Sequence, residues 1–243
     1  MCVLSSVCRT EPSVVDVVSM EILHGVDQVD GVNGNAYIVT SEEQLIVVDT
    51  GMPKSARKIL DCVSSMGRQS SSVSKILLTH CHIDHVGSAY ELRELTGAKV
   101  AIHQEDADFL AGKRKLPSPG GITGSLFKAV SHFIKSTPVQ PDIILKENDN
   151  VAGLTVIHTP GHTPGSISLL DPERKLLFVG DILRFSNGRV SGPPERFTLD
   201  KKQAIQSIKK ISKLDFDVML SGHGEPLKPN ASDRVREFCA SLK

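Results

Sequence analysis

Four short apolar runs in this chain of 243 residues each lead into a histidine or an aspartate, and that recurrence constrains the fold more than any other feature. The run 75–78 passes through Thr79 into His80-Cys81-His82-Ile83-Asp84-His85. The run 154–158 leads into Thr159-Pro160-Gly161-His162-Thr163-Pro164-Gly165, 175–179 into Gly180-Asp181, and 217–220 into Ser221-Gly222-His223-Gly224. Runs of this length, rich in β-branched residues and bounded by turn residues, read as buried strands. In open α/β sheets the carboxyl ends of such strands converge on one edge, where ligands bind.

Further strand signals lie at 14–20, 36–39, 45–48, 99–102 and 166–170, and helical patterns at 53–66, 88–96, 104–111, 125–135, 201–213 and 232–242. Pro53 suits a first helical turn, and Asp200 suits the cap of a helix whose stripe is Ala204, Ile205, Ile208, Ile211 and Leu214. Strand pairs come first and strand–helix alternation follows, which predicts layered sheets with helices outside. We expect one domain over 1–243, with an insertion around 105–142 that walls a pocket. Residues 112–124 read there as a loop leading into the 125–135 helix.

Composition removes several function classes. Lys plus Arg and Asp plus Glu balance at 28 each, so no net positive field is present to hold nucleic acid. With 4% aromatic residues and no Trp, a base-stacking platform is poorly supported. No run of about 18 apolar residues suggests a membrane span. Five cysteines without paired CxxC spacing read as reduced thiols. With no basic leader or cleavage signature at the start, the expectation is a cytoplasmic protein, a monomer or homodimer acting on a small molecule.

Imidazole and carboxylate together suit zinc, iron or manganese. Alternation sends His80 and His82 to one side of an extended segment, with Cys81 and Ile83 turned into packing. Asp84 and His85 follow where the chain turns into a helix and can face a second ion. With His162, Asp181 and His223 the donors number seven, enough for two ions if Asp181 bridges them. A lone histidine at a strand end is usually structural, but five with two aspartates are not explained as solvated surface. His24, His103, His132 and His158 lack these contexts and receive no metal. Asp49 ends another buried strand and is expected to hold a histidine or the loop by hydrogen bonds. Capping of the Pro53 helix by Asp49 or Thr50 is the alternative. Thr79 is expected to anchor the loop.

The His80–His85 motif, followed in order by His162, Asp181 and His223, resembles the metallo-β-lactamase superfamily over roughly residues 14–228. The resemblance implies a four-layer αβ/βα sandwich, two mixed β-sheets face to face with helices on both outer sides. It implies one ion at His80, His82 and His162, another at Asp84, His85 and His223, and Asp181 between them. The cofactors implied are two divalent metal ions, zinc first, with iron and manganese as alternatives. The activity implied is hydrolysis of a small ester, lactone or thioester by metal-bound hydroxide, with Asp84 or Asp181 moving the proton. β-Lactamases of the superfamily generally replace the bridging carboxylate by Cys or Ser, so Asp181 argues against that branch. Lactonases of the superfamily often carry tyrosine three residues after the bridging aspartate, where this chain has Arg184. Glyoxalase II-type hydrolysis of hydroxyacylglutathione, a single-iron persulfide dioxygenase, and a promiscuous β-lactamase or phosphodiesterase are the alternatives. Arg184, Phe185 and Phe127 are the expected substrate contacts, and Arg189 and Arg196 are further candidates for an anionic substrate end.

Overall fold

A computed structural model describes residues 19–42, 44–117 and 136–242. Strands β1 (Met20–Leu23), β2 (Val26–Gln28), β3 (Tyr37–Ser41) and β4 (Gln44–Val48) form an antiparallel meander. To its edge β5 (Val73–Leu77), β6 (Lys99–His103) and β7 (Ile143–Leu145) add in parallel, completing a seven-stranded sheet. The change of direction falls where helices enter the sequence, because parallel neighbours need a crossover. Helix α1 (Ala56–Ser65) joins β4 to β5; α2 (Ile83–Val86) and α3 (Ala89–Thr96) join β5 to β6; α4 (Gln104–Leu110) follows β6.

The second sheet contains β8 (Asn150–Val151), β9 (Leu154–His158), β10 (Ile167–Asp171) and β11 (Leu176–Gly180), all antiparallel. A hairpin of β12 (Arg184–Ser186) and β13 (Arg189–Ser191) and helix α5 (Lys201–Ile211) intervene before β14 (Val218–Ser221), which returns parallel to β11. Helix α6 (Ala231–Ser241) closes the described chain.

Period-two alternation sorts the strands into layers. In β4, Leu45 and Val47 face the cluster with Ile59, Cys62 and Leu92 of the helices, whereas Ile46 and Val48 face the other sheet. The cluster between the sheets joins Leu77 and Ala101 to Val156, Leu169, Phe178 and Leu220. Beyond the second sheet, Leu177, Val179 and Met219 pack on Ala204, Ile208 and Ile211 of α5 and Val235 of α6. This is the four-layer sandwich of two mixed sheets with outer helices. Burying a side chain such as Ile46 or Leu77, neither of which is exposed, contributes about 1.5–3 kcal/mol.

Several expectations shift. The strand anticipated at 14–20 falls mostly outside the described residues, and β1 begins only at Met20. Pro53 precedes α1, which starts at Ala56 after Ser55. The turn before it is bent toward α3, where the Ser88 hydroxyl accepts from the Ser55 amide and donates to the Met52 carbonyl. Asp200 does cap α5, its side chain accepting from the Gln203 amide at 2.9 Å. The helix anticipated at 125–135 lies outside the described residues, as does Phe127. Strands β2, β8, β12 and β13 have two or three residues each, too short to carry a periodic signal. Among the described residues Cys62, Cys81 and Cys239 are free thiols, and no helix is long and apolar enough to cross a membrane.

Candidate metal centre

Strand β5 delivers the chain through Leu78 and Thr79 to the site edge, and His80 and His82 leave it on the same side. His82 is still extended (φ −70°, ψ 148°) and stands at the N-terminal cap of α2, whose single turn carries Asp84 and His85. Cys81 is buried opposite the histidines, as alternation requires. Ile83, expected to pack, instead lines the cavity, because the extended period ends at His82 and the helical period turns residue 83 outward. Asp181 directly follows β11, and His223 lies two residues beyond β14. Gly222 lets the loop of His223 approach His85 and Asp181: a Cβ there would lie 2.3 Å from His85 Cε1 and 2.5 Å from Asp181 Oδ1.

His80 Nε2 and His162 Nε2 stand 3.1 Å and 2.8 Å from His82 Nδ1. Nitrogens on a tetrahedral zinc lie about 3.3 Å apart, so this packing of three acceptor-capable atoms fits a shared cation. The far nitrogen of His80 is fixed by its neighbour: the Thr79 hydroxyl donates to Asp49 Oδ2 at 2.7 Å, so the His80 Nδ1–H donates to Thr79 Oγ1 at 3.1 Å. That tautomer leaves the Nε2 lone pair on the cluster.

In the second group, His223 Nε2 lies 3.0 Å from Asp84 Oδ2, and His85 Nε2 lies 4.0 Å from the same oxygen. His85 Nδ1 contacts Asp49 Oδ2 at 2.8 Å. Asp181 stands between the groups, its Oδ2 3.6 Å from both His162 Nε2 and His223 Nε2. Its Oδ1 faces His85 Nε2 at 3.4 Å, and both of these buried atoms lack a hydrogen-bond partner. A cation would satisfy both, and a mixed imidazole–carboxylate donor set suits zinc, iron or manganese. Three clusters of ligand atoms, His80/His82/His162, His80/His85/Asp181 and Asp84/His85/His223, lie within the span of a bound ion.

Electrostatics separate the residues. Burial, then the neighbouring imidazoles, holds His80 well below the ordinary histidine range. Burial lowers His82 likewise, and burial with His82 brings His162 to about 3. These rings are neutral, the state that ligates a metal. For His85 burial acts in the same direction, but Asp49 and then Asp181 outweigh it and raise its pKa well above normal. Burial would raise Asp181, yet His85 and its other imidazole neighbours hold it well below the carboxylate range. In Asp84 the hydrogen bond from His223 overcomes burial in the same sense.

A cavity of about 360 Å³ opens on the cluster, lined by His82, Asp84, His162, Asp181 and His223 together with Asn33, Met52, Ile83, Arg184, Arg196 and Phe197. Arg184 Nη2 binds Asp181 Oδ2 at 2.6 Å. Phe185, expected at the substrate, points the other way into the α5–α6 core, because successive residues of β12 face opposite sides. Arg189, on exposed β13, is not among the residues lining the cavity. Asp49 accepts from the Thr79 amide and hydroxyl and contacts His85, and makes no cap on α1. Two residues behind the His223 loop escaped the sequence reading. The Tyr37 hydroxyl donates to the Ser221 carbonyl at 2.7 Å, and the Asn35 side-chain amide donates to the Ser221 and Gly224 carbonyls, fixing the loop of His223. Neither stands out from an ordinary strand start.

A family model described as the metallo-beta-lactamase superfamily matches residues 29–223. The chain is 30% identical over 233 residues to the probable metallo-hydrolase YflN of Bacillus subtilis, covering 84% of this chain and 87% of that protein. It is 31% identical over 180 residues to the human acyl-coenzyme A thioesterase MBLAC2, covering 63% of this chain and 59% of the relative. Among solved structures, TTHA1623 in a di-iron-bound form superposes with a TM-score of 0.68 at 27% identity, covering 87% of this chain and 98% of that one.

Proposed function

The chain belongs to the metallo-beta-lactamase superfamily, and from that premise we propose that it is a two-metal hydrolase of small acyl substrates, a thioester before an ester or lactone. The observation that carries this reading is Asp181, equidistant at 3.6 Å from a histidine of each ligand group and open to the cavity. His80, His82 and His162 would hold one ion, Asp84, His85 and His223 the other, with Asp181 shared. Zinc is the first expectation, with iron and manganese as alternatives.

When bound, two such ions lower the pKa of a solvent molecule toward about 7 and polarise an acyl carbonyl. The chain's own groups do the rest. Asp84, partly exposed to the cavity and kept ionised by His223, is placed to take the proton of attacking water. As the carbon–oxygen bond forms and the carbon–sulfur bond breaks, that proton passes to the leaving thiolate. Met52, Ile83 and Phe197 offer an apolar wall for the acyl part. Arg196, over the Phe197 ring, and Arg184, paired with Asp181, add positive charge to the lining, which suits an anionic carrier such as the phosphates of an acyl-coenzyme A. The likeness to a thioesterase favours the same bond.

Metal analysis by mass spectrometry, followed on the same sample by lactones, thioesters, phosphodiesters and β-lactams, tests the reading. Two equivalents of metal with preferred thioester turnover are expected; one iron with oxygen uptake would replace it. His82→Ala should lose both metal and turnover, and unchanged activity rejects the scheme. Arg196→Gln should raise KM about tenfold for anionic thioesters and leave neutral ones unaffected.

A further inference from the structure

Asp106 lies in α4, in an acidic first turn with Glu105, and nothing in its sequence context marks it. Its side chain is nevertheless fully buried. Oδ2 accepts from the Cys81 amide at 2.9 Å and from the Thr163 hydroxyl at 2.7 Å, and Oδ1 accepts from the Gly165 amide at 2.7 Å. Cys81 separates His80 from His82, and Thr163 and Gly165 follow His162. One carboxylate therefore ties together the two loops, one from each sheet, that supply all three histidines of one ligand group. None of its donors belongs to the loops that carry Asp181 or His223.

Burying a carboxylate is costly unless its oxygens are satisfied by well-placed donors. Here two of the three donors are backbone amides that cannot reverse, so the arrangement requires an acceptor on both oxygens. The backbone leaves room for little else: a Cβ on Gly165 would lie 2.6 Å from Asp106 Cγ and 2.6 Å from its amide nitrogen. The Thr163 hydroxyl is braced in turn by Ser166, 2.8 Å away.

We propose that Asp106 is the positioning residue of the three-histidine group, setting the separation of the His80–His82 and His162 loops and so the metal affinity of that half of the site alone. The proposal rests on the reading that these histidines bind a metal, and the experiment separates the two. Chelator-stripped full-length protein is titrated with cobalt(II), following the visible ligand-field bands and the heat of binding. The wild type should show two steps. His162→Ala should abolish one of them and His223→Ala the other, which assigns each step to its half.

Asp106→Asn keeps the shape but sets its amide donor against a backbone amide. It should weaken the three-histidine step about 10–100-fold, shift its band and leave the other step within about twofold. Turnover at saturating cobalt should show kcat reduced with KM little changed. Equal weakening of both steps, or of neither, in a variant with native circular dichroism overturns the proposal. If Asp106→Asn does not fold, Thr163→Val decides, since it removes one donor and leaves the carboxylate; a severalfold weakening of the same step supports the proposal and no change overturns it. Wild-type protein that binds no cobalt, or a His162→Ala variant that binds it normally, overturns the metal reading and the proposal with it.

Discussion

The two ligand groups share Asp181 but differ in where they sit and what holds them. In one group His80 and His162 are each 1% exposed and His82 is half-buried; in the other His85 is buried, while the Asp84 and His223 side chains are 30% and 27% exposed, and both groups reach the cavity. The three-histidine half is assembled from loops of both sheets and braced from α4. The other half is assembled from α2 and the loop after β14, and braced by Asp49, Tyr37 and Asn35. Asp49 is not confined to that half, because it also reaches His80 through Thr79. The difference teaches that two donor groups opening on one cavity can be held by largely different buried supports, Asp106 behind one and Tyr37 and Asn35 behind the other.

The largest expected effect comes from removing what the halves share. Asp181→Ala should lose metal from both and reduce kcat/KM by about a thousandfold or more, since the shared carboxylate neutralises both groups. Retention of one full equivalent of metal would show the halves to be independent. Next, Asp49→Asn should weaken both binding steps, by about 10–100-fold at the His85 half and less at the three-histidine half. A loss confined to one step would show that the Thr79 relay to His80 carries nothing.

Two glycine variants set the halves against each other. Gly165→Ala drives a Cβ into Asp106, and Gly222→Ala drives one into His85 and Asp181. Each should cost about 1–3 kcal/mol in denaturant unfolding. Gly165→Ala should depress metal binding in the three-histidine half alone, whereas Gly222→Ala, which also displaces the shared Asp181, should depress both, the His85 half more. Equal weakening of both halves by Gly165→Ala would break the comparison.

The smallest effect is one of pH. His103 caps α4, its Nδ1 accepting from the Glu105 amide, and its ring stacks on His158 at 3.9 Å. Burial, then His158, lowers its pKa to about 4. The folded state therefore prefers the neutral ring. This preference costs nothing above the unfolded value of about 6.5, and stability is lost as pH falls from there toward 4. Protonation removes the cap of the helix that carries Asp106. The melting temperature of the metal-free protein should thus fall across that window, and less steeply in His103→Gln; parallel curves for the two proteins would remove His103 from the account.

Much of this was legible in the sequence. The layers follow from runs such as Leu45 to Val48, whose alternating faces are both apolar, and the ligand-type residues stood out because polar groups at the ends of buried strands need a reason. Asp49 was visible on the same ground. Ile83 and Phe185 were misread because the direction of a side chain depends on where one period gives way to another. Tyr37, Asn35 and Asp106 could not be read, since their partners lie 25 to 189 residues away along the chain.

By itself the sequence determined which strands are buried, which of them end in metal-type donors and in what order those donors come, because periodicity and chemistry are local properties of the chain. Only the tertiary structure decided how the donors divide by distance into two groups about Asp181, that Arg184 faces the cavity while Phe185 turns from it, and that Asp106 ties the loops of the three histidines. Those are facts about separations between strand ends of two sheets, set by packing across the shared core, and no short window of sequence contains them.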